Sequence, residues 1–237
     1  MAGDSSPQAA GRTVQAWDTP TRLFHWTLLI LIVLAPITNK MGTATFYLHK
    51  INGYLILSLI LYRVLWGFMG GTTARFATFV RPFAAFGYFF DLVRGKSRHY
   101  LGHNPLGGLM VLALMAAVGA QAIFGLMALD DIPATIEGPF ASKVAEATAE
   151  AVSVWHRRGF KIILALVAIH VAANLFYTLV KKDNLIRAMV TGSKPQGTFE
   201  DLAENTPGSC GKAALCLALS ITIVFGAVWL FGSSPFR

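Results

Sequence analysis

Charged residues are scarce in this sequence. Asp, Glu, Lys and Arg make up only 14% of its 237 residues, whereas apolar residues make up 54%, and the mean hydropathy is +0.55. A soluble domain carries about 25% charged residues. The shortage therefore excludes a soluble globular protein, and we expect an integral membrane protein.

Cysteine is also scarce, with Cys210 and Cys216 as the two thiols of the chain. Neither belongs to the C-x-x-C-H pattern to which a c-type haem is attached covalently. We therefore expect no covalent c-type haem. We expect two unpaired thiols near the start of the last apolar segment.

A recognisable secretory leader is missing as well. The first apolar run begins at Leu23, is longer than the apolar part of a signal peptide, and lacks a small-x-small cleavage site. We therefore expect this run to be retained as a helix. The preceding residues 1–16 are rich in Gly, Ser, Gln and Ala, and we predict that they form a disordered cytoplasmic tail.

Long apolar runs, in contrast, are abundant. Five are long enough to span a hydrocarbon core about 30 Å thick, and they cover residues 23–39, 46–68, 105–129, 155–180 and 213–231. We predict an all-α fold with a four-helix block over 17–192, a linker over 193–212 and a fifth transmembrane helix over 213–232. Because the fifth helix carries no histidine, we expect it to be an anchor or to contact a partner.

The stretch 67–104 between the second and third spans is rich in phenylalanine and flanked by arginines. Pro82 fits the first turn of a short helix, where its missing N–H group costs nothing. We predict that this helix lies in the membrane interface on the cytoplasmic face.

The net charge of +8 is distributed unevenly over the predicted loops. With a cytoplasmic N-terminus, thirteen cations fall on the inner side: Arg12, Arg22, Arg63, Arg75, Arg81, Arg94, Lys96, Arg98, Lys181, Lys182, Arg187, Lys194 and Lys212. Seven fall on the outer side: Lys40, Lys50, Lys143, Arg157, Arg158, Lys161 and Arg237. The outer side also holds an acidic loop, with Asp130, Asp131, Glu137, Glu146 and Glu150. This distribution obeys the positive-inside rule for a multi-pass protein of the bacterial inner membrane. It indicates topology and contact with anionic lipid rather than nucleic-acid binding.

Two of the six histidines, His156 and His170, lie on the fourth span, fourteen positions apart. A helix rises 1.5 Å and turns about 100° per residue, so both side chains point to nearly the same side at depths about 21 Å apart. Ionisable side chains inside a membrane are costly and are usually kept for a function. The spacing therefore predicts two sites at two depths.

Helices that alternate in direction place two other histidines at these depths. His49 begins the second span and shares a level with His156, whereas His25 begins the first span and shares a level with His170. Two imidazoles facing each other from different helices can ligate the iron of a non-covalent b-type haem. We predict two such haems, with His25, His49, His156 and His170 as axial ligands.

Several cations are placed to bind haem propionates at the membrane surfaces. Arg157, Arg158 and Lys161 are candidates near His49 and His156, and Arg22 and Arg63 are candidates near His25 and His170. His103, just before the third span, is a candidate contact for a propionate or a quinone carbonyl. The alternative for His103 is a solvated residue or one that contacts lipid headgroups.

Six short motifs follow one another along the four-helix block: WDTPTRLFHW (17–26), HKING (49–53), YR with WG (62–67), LGHNPL (101–106), WH with the later His170, and AMVTG (188–192). In this order they resemble the prokaryotic cytochrome b561 proteins, and within them the b-type cytochrome subunit of nickel–iron hydrogenases. The resemblance covers residues 14–194.

The resemblance implies a bundle that binds two b-type haems and exchanges electrons between the quinone pool and a partner redox protein. The family's ligands fall on the first, second and fourth helices, which matches His25, His49, His156 and His170. A hydrogenase or a c-type cytochrome is the expected partner, and a homodimer is a further candidate assembly.

Two other classes of function stay open at this point. The first is a self-contained oxidoreductase that acts on quinol or a small oxygen species at an exposed haem edge. The second is a cofactor-free transporter or scaffold whose histidines relay protons or pack. Broken helices near the middle of the membrane would favour a transporter.

Overall fold

The computed structural model of the protein describes residues 12–96, 98–129, 137–202 and 204–232. Most of the predicted tail (1–11), the acidic residues Asp130 and Asp131, and Arg237 lie outside this range. The described chain forms eight α-helices and one two-stranded sheet. The predicted all-α membrane fold is confirmed.

Five of the helices are long and apolar enough to cross a membrane. They are α1 (Thr19–Asn39), α2 (Tyr47–Met69), α5 (Pro105–Met127), α6 (Glu146–Leu179) and α8 (Cys210–Phe231). Three shorter helices lie between them: α3 (Phe76–Phe79), α4 (Pro82–Val93) and α7 (Leu185–Thr191).

The largest difference from the predicted bounds is in α6, which begins at Glu146 rather than at residue 155. Its first turns contain Ala147, Ala149 and Ala151. Alanine is the best helix former but adds little hydrophobicity, so a search for apolar runs misses this part. With 34 residues the helix is about 51 Å long, which exceeds the hydrocarbon core of about 30 Å by about two thirds.

The helix predicted around Pro82 is α4, and this proline occupies its first turn. One face of α4 is apolar and turned away from the protein. On this face Phe83 is 94% exposed, and Phe86, Phe90 and Val93 are exposed too. On the other side, Tyr88 is buried and makes a hydrogen bond with Tyr177 at the end of α6. An exposed apolar face next to a buried one is typical of a helix that lies on a membrane surface.

Residues 12–16 differ from the predicted disordered tail. Strand β1 (Thr13–Gln15) pairs antiparallel with β2 (Ser193–Pro195). The backbone N–H groups of Ala16 and Trp17 then both donate to Gly192 O, at 2.8 and 3.0 Å. The backbone hydrogen bonds tie the start of the four-helix block to its end, which composition alone does not reveal.

Two polar side chains of the predicted linker 193–212 bond to the ends of the four-helix block. The carboxylate of Asp201 accepts from Leu101 N and Gly102 N at 2.7 and 2.9 Å. Asn205 Oδ1 accepts from Thr72 Oγ1 at 2.8 Å. These side chains replace the backbone partners that an irregular segment lacks, so the segment is fixed against the ends of the helices.

Helix α2 is central and uses two opposite faces. Ile56 and Ile60 pack with Val118 of α5 and Ile163 of α6 in a core among the helices of the block. On the other face, Tyr54 packs against Val224 and Val228 of α8. The fifth helix therefore covers the side of α2 that faces away from the four-helix core.

Asp18 joins three parts of this fold. Its side chain is 2% exposed; Oδ1 accepts from Thr21 N at 2.9 Å, which caps α1, and Oδ2 accepts from Gly208 N at 3.1 Å. Thr21 Oγ1 in turn accepts from Trp66 Nε1 of α2 at 3.1 Å. The start of α1, the end of α2 and the segment before α8 thus meet at one carboxylate.

We expect Asp18→Ala to destabilise the protein by about 2 kcal/mol or more, because the substitution removes a helix cap and leaves buried N–H groups unpaired. The free energy of unfolding in detergent micelles, followed by circular dichroism, measures the effect. The matched control is Asn184→Ala, which removes the cap of α7 from an exposed position. Equal losses in both variants would contradict the role of burial.

Candidate functional site

Four histidines meet as two pairs between the helices. The ring centres of His49 and His156 lie 6.2 Å apart, and those of His25 and His170 lie 6.5 Å apart. We call them the 49/156 pair and the 25/170 pair. The structure brings together the partners that depth predicts, and α6 supplies one member of each pair.

The distance between the rings fits a shared metal ion. A metal–imidazole bond is about 2.0 Å long and a ring nitrogen lies about 1.1 Å from the ring centre, so an ion between two rings separates their centres by about 6.2 Å. Both pairs are within a few tenths of an ångström of this value.

In the 49/156 pair, backbone carbonyls fix the proton of each ring. His49 Nδ1 lies 3.0 Å from Ala35 O, and His156 Nδ1 lies 2.9 Å from Gln121 O. A carbonyl oxygen can only accept, so each Nδ1 carries the proton and each Nε2 keeps its lone pair. This is the arrangement that orients a histidine ligand.

Gln121 and two glycines shape the space around His156. Gln121 Nε2 donates to the backbone oxygen of His156 at 2.7 Å. A Cβ at Gly125 would lie 2.8 Å from the His156 ring, and one at Gly159 would lie 2.4 Å from Gln121 Oε1. The His156 ring and the Gln121 amide can occupy these positions because residues 125 and 159 are glycines.

The 25/170 pair is held differently. His25 Nδ1 is buried without a hydrogen-bond partner. His170 Nε2 lies 3.3 Å from Asn174 Nδ2, which also donates to the backbone oxygen of His170 at 2.7 Å. The contact with Nε2 is long and uncharged, so a metal ion could replace it at that nitrogen.

His103 packs between two aromatic rings rather than facing solvent. Its ring centre lies 4.7 Å from that of Trp17 and 4.7 Å from that of Phe79, and its Nδ1 is buried without a partner. Burial, reinforced by the positive charge of Arg63, lowers the pKa of His103 to about 3. The ring is therefore neutral at pH 7 and carries one N–H that can donate.

Arg63 and Arg22 bring positive charge to the same end of the bundle. Arg63 is 2% exposed, its guanidinium carbon lies 5.3 and 5.7 Å from the ring centres of Phe76 and Phe79, and its Nη1 has no partner. Arg22 Nη1 donates to Val190 O at 2.6 Å, while its Nε is buried and unpaired.

The cations near the 49/156 pair are in a different environment. Arg157, Arg158 and Lys161 are exposed on α6, within about a turn and a half of His156. Arg157 is close enough to act electrostatically on the His156 ring. The two ends of the bundle therefore differ, with the buried Arg63 and the half-buried Arg22 at one end and exposed cations at the other.

Sequence reasoning missed Gln121, Trp17 and Phe79 as site residues. Gln121 does carry a signal, because it is the one amide inside the apolar run of α5 and intramembrane polar groups are usually functional. Trp17 and Phe79 carry none, since an aromatic ring that packs on His103 looks like any other core residue.

A family model described as prokaryotic cytochrome b561 matches residues 16–192. The chain belongs to this family. The resemblance seen in the motifs is thereby confirmed, and the protein is a membrane electron-transfer cytochrome whose family implies haem b as cofactor. A cofactor-free transporter is disfavoured accordingly.

Curated relatives of this cytochrome point to one branch of the family. A protein of Azotobacter vinelandii named a probable Ni/Fe-hydrogenase B-type cytochrome subunit is 26% identical over 227 residues, covering 80% of this chain and 92% of the relative. Proteins with the same name in Rhizobium leguminosarum and Cupriavidus necator are 23% and 22% identical, covering 77% and 84% of this chain and 89% and 93% of the relatives. The homology is distant but spans nearly the whole of each relative.

In this cytochrome, we expect Gly125→Ala to displace the His156 ring, because the added methyl carbon would lie 2.8 Å from it. Haem absorbance per polypeptide should fall while the purified yield changes little. The control is Gly226→Ala on α8, where a Cβ has open space and only helix propensity changes. Unchanged haem content in Gly125→Ala would show that the His156 ring position is not required.

Proposed function

We propose that the protein carries electrons across the bacterial inner membrane through two b-type haems, between the quinone pool and a partner redox protein. The observation that supports this most directly is the pair of ring contacts, 6.2 and 6.5 Å between centres. The two histidine pairs lie about 21 Å apart along α6, and this distance is most of the thickness of a hydrocarbon core.

His49 and His156 would hold one haem, and His25 and His170 the other. When bound, each haem supplies a one-electron couple whose potential depends on its ligands, burial and hydrogen bonds. The chain's own part is to orient the imidazoles, since Ala35 O and Gln121 O fix the protons of the 49/156 pair.

The space between the two levels is apolar. Ile56, Ile60, Val118 and Ile163 are buried there and pack with partly buried residues of α1 and α6. Such a core excludes water, so the environment of each pair is set by the protein rather than by solvent.

Propionates and quinone fit the polar residues at the two ends. Arg22, Arg63 and His103 are candidate contacts at the 25/170 end, and Arg157, Arg158 and Lys161 are candidates at the 49/156 end. Quinone is placed near the 25/170 pair, with His103 or Arg22 as hydrogen-bond donor. These assignments rest on the donors that each end provides.

The proposed orientation has the N-terminus in the cytoplasm, following the positive-inside rule. The partner would then dock at the periplasmic side, near the 49/156 pair. The names of the relatives make a nickel–iron hydrogenase the leading partner. A c-type cytochrome is the second candidate, and a homodimer is a further assembly to be checked.

We expect full-length protein to contain two non-covalent b haems per chain in a pyridine haemochrome assay. His156→Ala and His170→Ala should each reduce the content to about one, because each substitution removes one ligand from a different pair. The matched control is His99→Ala, which removes an exposed histidine outside both pairs and should leave two haems.

Each other outcome has a defined meaning. One haem in the wild type would keep the electron-transfer function but contradict the two levels. Two haems retained in His170→Ala would contradict the 25/170 pairing. Redox difference spectra and potentiometric titrations of the single-haem variants then assign a spectrum and a midpoint potential to each pair.

A further inference from the structure

Arg63 is a buried cation without a complete set of partners. Its side chain is 2% exposed and Nη1 has no hydrogen-bond partner. The ion pairs found among residues 12–96, 98–129, 137–202 and 204–232 join Asp91 to Lys96 and Arg98, and Asp183 to Lys194. Asp18 acts on Arg63 electrostatically, but its two carboxylate oxygens already accept from Thr21 N and Gly208 N.

The helix spacing places Arg63 at the level of the 25/170 pair. Arg63 follows His49 by fourteen residues on α2, and His170 follows His156 by the same number on α6. Because His49 and His156 are in contact, equal rises along the two helices bring Arg63 and His170 to one depth. Trp66, one turn after Arg63, bonds to Thr21, one turn before His25.

His103 adds a second unpaired polar atom, and its ring packs on the same phenylalanine as Arg63. Its ring lies 4.7 Å from that of Phe79, the same ring that lies 5.7 Å from the guanidinium of Arg63. Its Nδ1 is buried and has no partner. His25 and His170 are both close enough to interact with it electrostatically.

Arg63 and His103 both pack on Phe79 beside a histidine pair, and their unpaired nitrogens indicate a polar group held inside the bundle. A neutral carbonyl would leave the charge of Arg63 uncompensated, whereas a carboxylate would neutralise it and accept both hydrogen bonds. Because Arg63 is 2% exposed, bulk solvent does not neutralise its charge. Phe76 and Phe79 further exclude water from the guanidinium.

We infer that Arg63, assisted by His103, binds a propionate carboxylate of the haem held by His25 and His170, and that the Arg63 charge raises the midpoint potential of that haem. The inference rests on the proposed di-haem function. A fixed positive charge disfavours the oxidised state of nearby iron, because that state carries one more positive charge. The exposed cations near the 49/156 pair are screened by solvent, so they exert a weaker effect.

The test uses full-length protein in detergent and potentiometric titration of both haems, with the haem lost in His170→Ala identifying the relevant spectrum. In Arg63→Gln we expect the ratio of oxidised to reduced haem at that site to rise about tenfold at a fixed potential, which is a fall of about 59 mV in the midpoint potential of a one-electron couple. Arg63→Lys keeps the charge and should recover part of the shift. Arg94→Gln removes an exposed arginine at the end of α4 and should change neither haem.

The carboxylate is tested by reconstituting haem-depleted full-length protein with haem b or with its dimethyl ester, which has no free carboxylate. We expect Arg63→Gln to bind haem b at this site more weakly than the wild type does, and the two proteins to bind the ester with equal affinity. Equal affinities for haem b, or an unchanged potential in Arg63→Gln that retains two haems, would overturn the inference. Neither result touches the proposed function, because that function is tested by the haem content of the wild type.

Discussion

A side chain on a membrane-spanning helix has little freedom in depth. The hydrocarbon core fixes where the helix can sit, and the rise of 1.5 Å per residue then fixes the depth of each residue on it. In this cytochrome the fourteen-residue interval between His156 and His170 sets two levels. The other helices are aligned to these levels, since His49 and His25 must reach them from α2 and α1.

The same constraint explains how much of the structure can be predicted. Apolar runs locate all five spans, and depth alone selects the two histidine pairs. Sequence does not reveal the first turns of α6, because alanine forms helix without being strongly apolar. It also misses the sheet and the packed segment around Asp201 and Asn205, whose contacts join residues about a hundred or more positions apart.

The site residues likewise divide into those that the sequence reveals and those that only the fold reveals. Histidines stand out in an apolar helix because a polar group there is costly. The groups that orient them include the backbone oxygens of Ala35 and Gln121, which any residue at those positions would provide. Arg63 is visible as a cation near a predicted span end, but its burial between Phe76 and Phe79 becomes apparent only when α3 folds back on α2.

The small sheet has a consequence for how many times the chain crosses the membrane. Strands β1 and β2 are hydrogen-bonded to each other, so residues 13–15 and 193–195 must lie on the same side of the bilayer. A chain returns to its starting side only after an even number of crossings. Four helices between the strands, α1, α2, α5 and α6, satisfy this parity, whereas three or five would not. The pairing of these six residues therefore requires an even number of crossings in the four-helix block. Helix α8 is a fifth crossing and takes the chain to the opposite side.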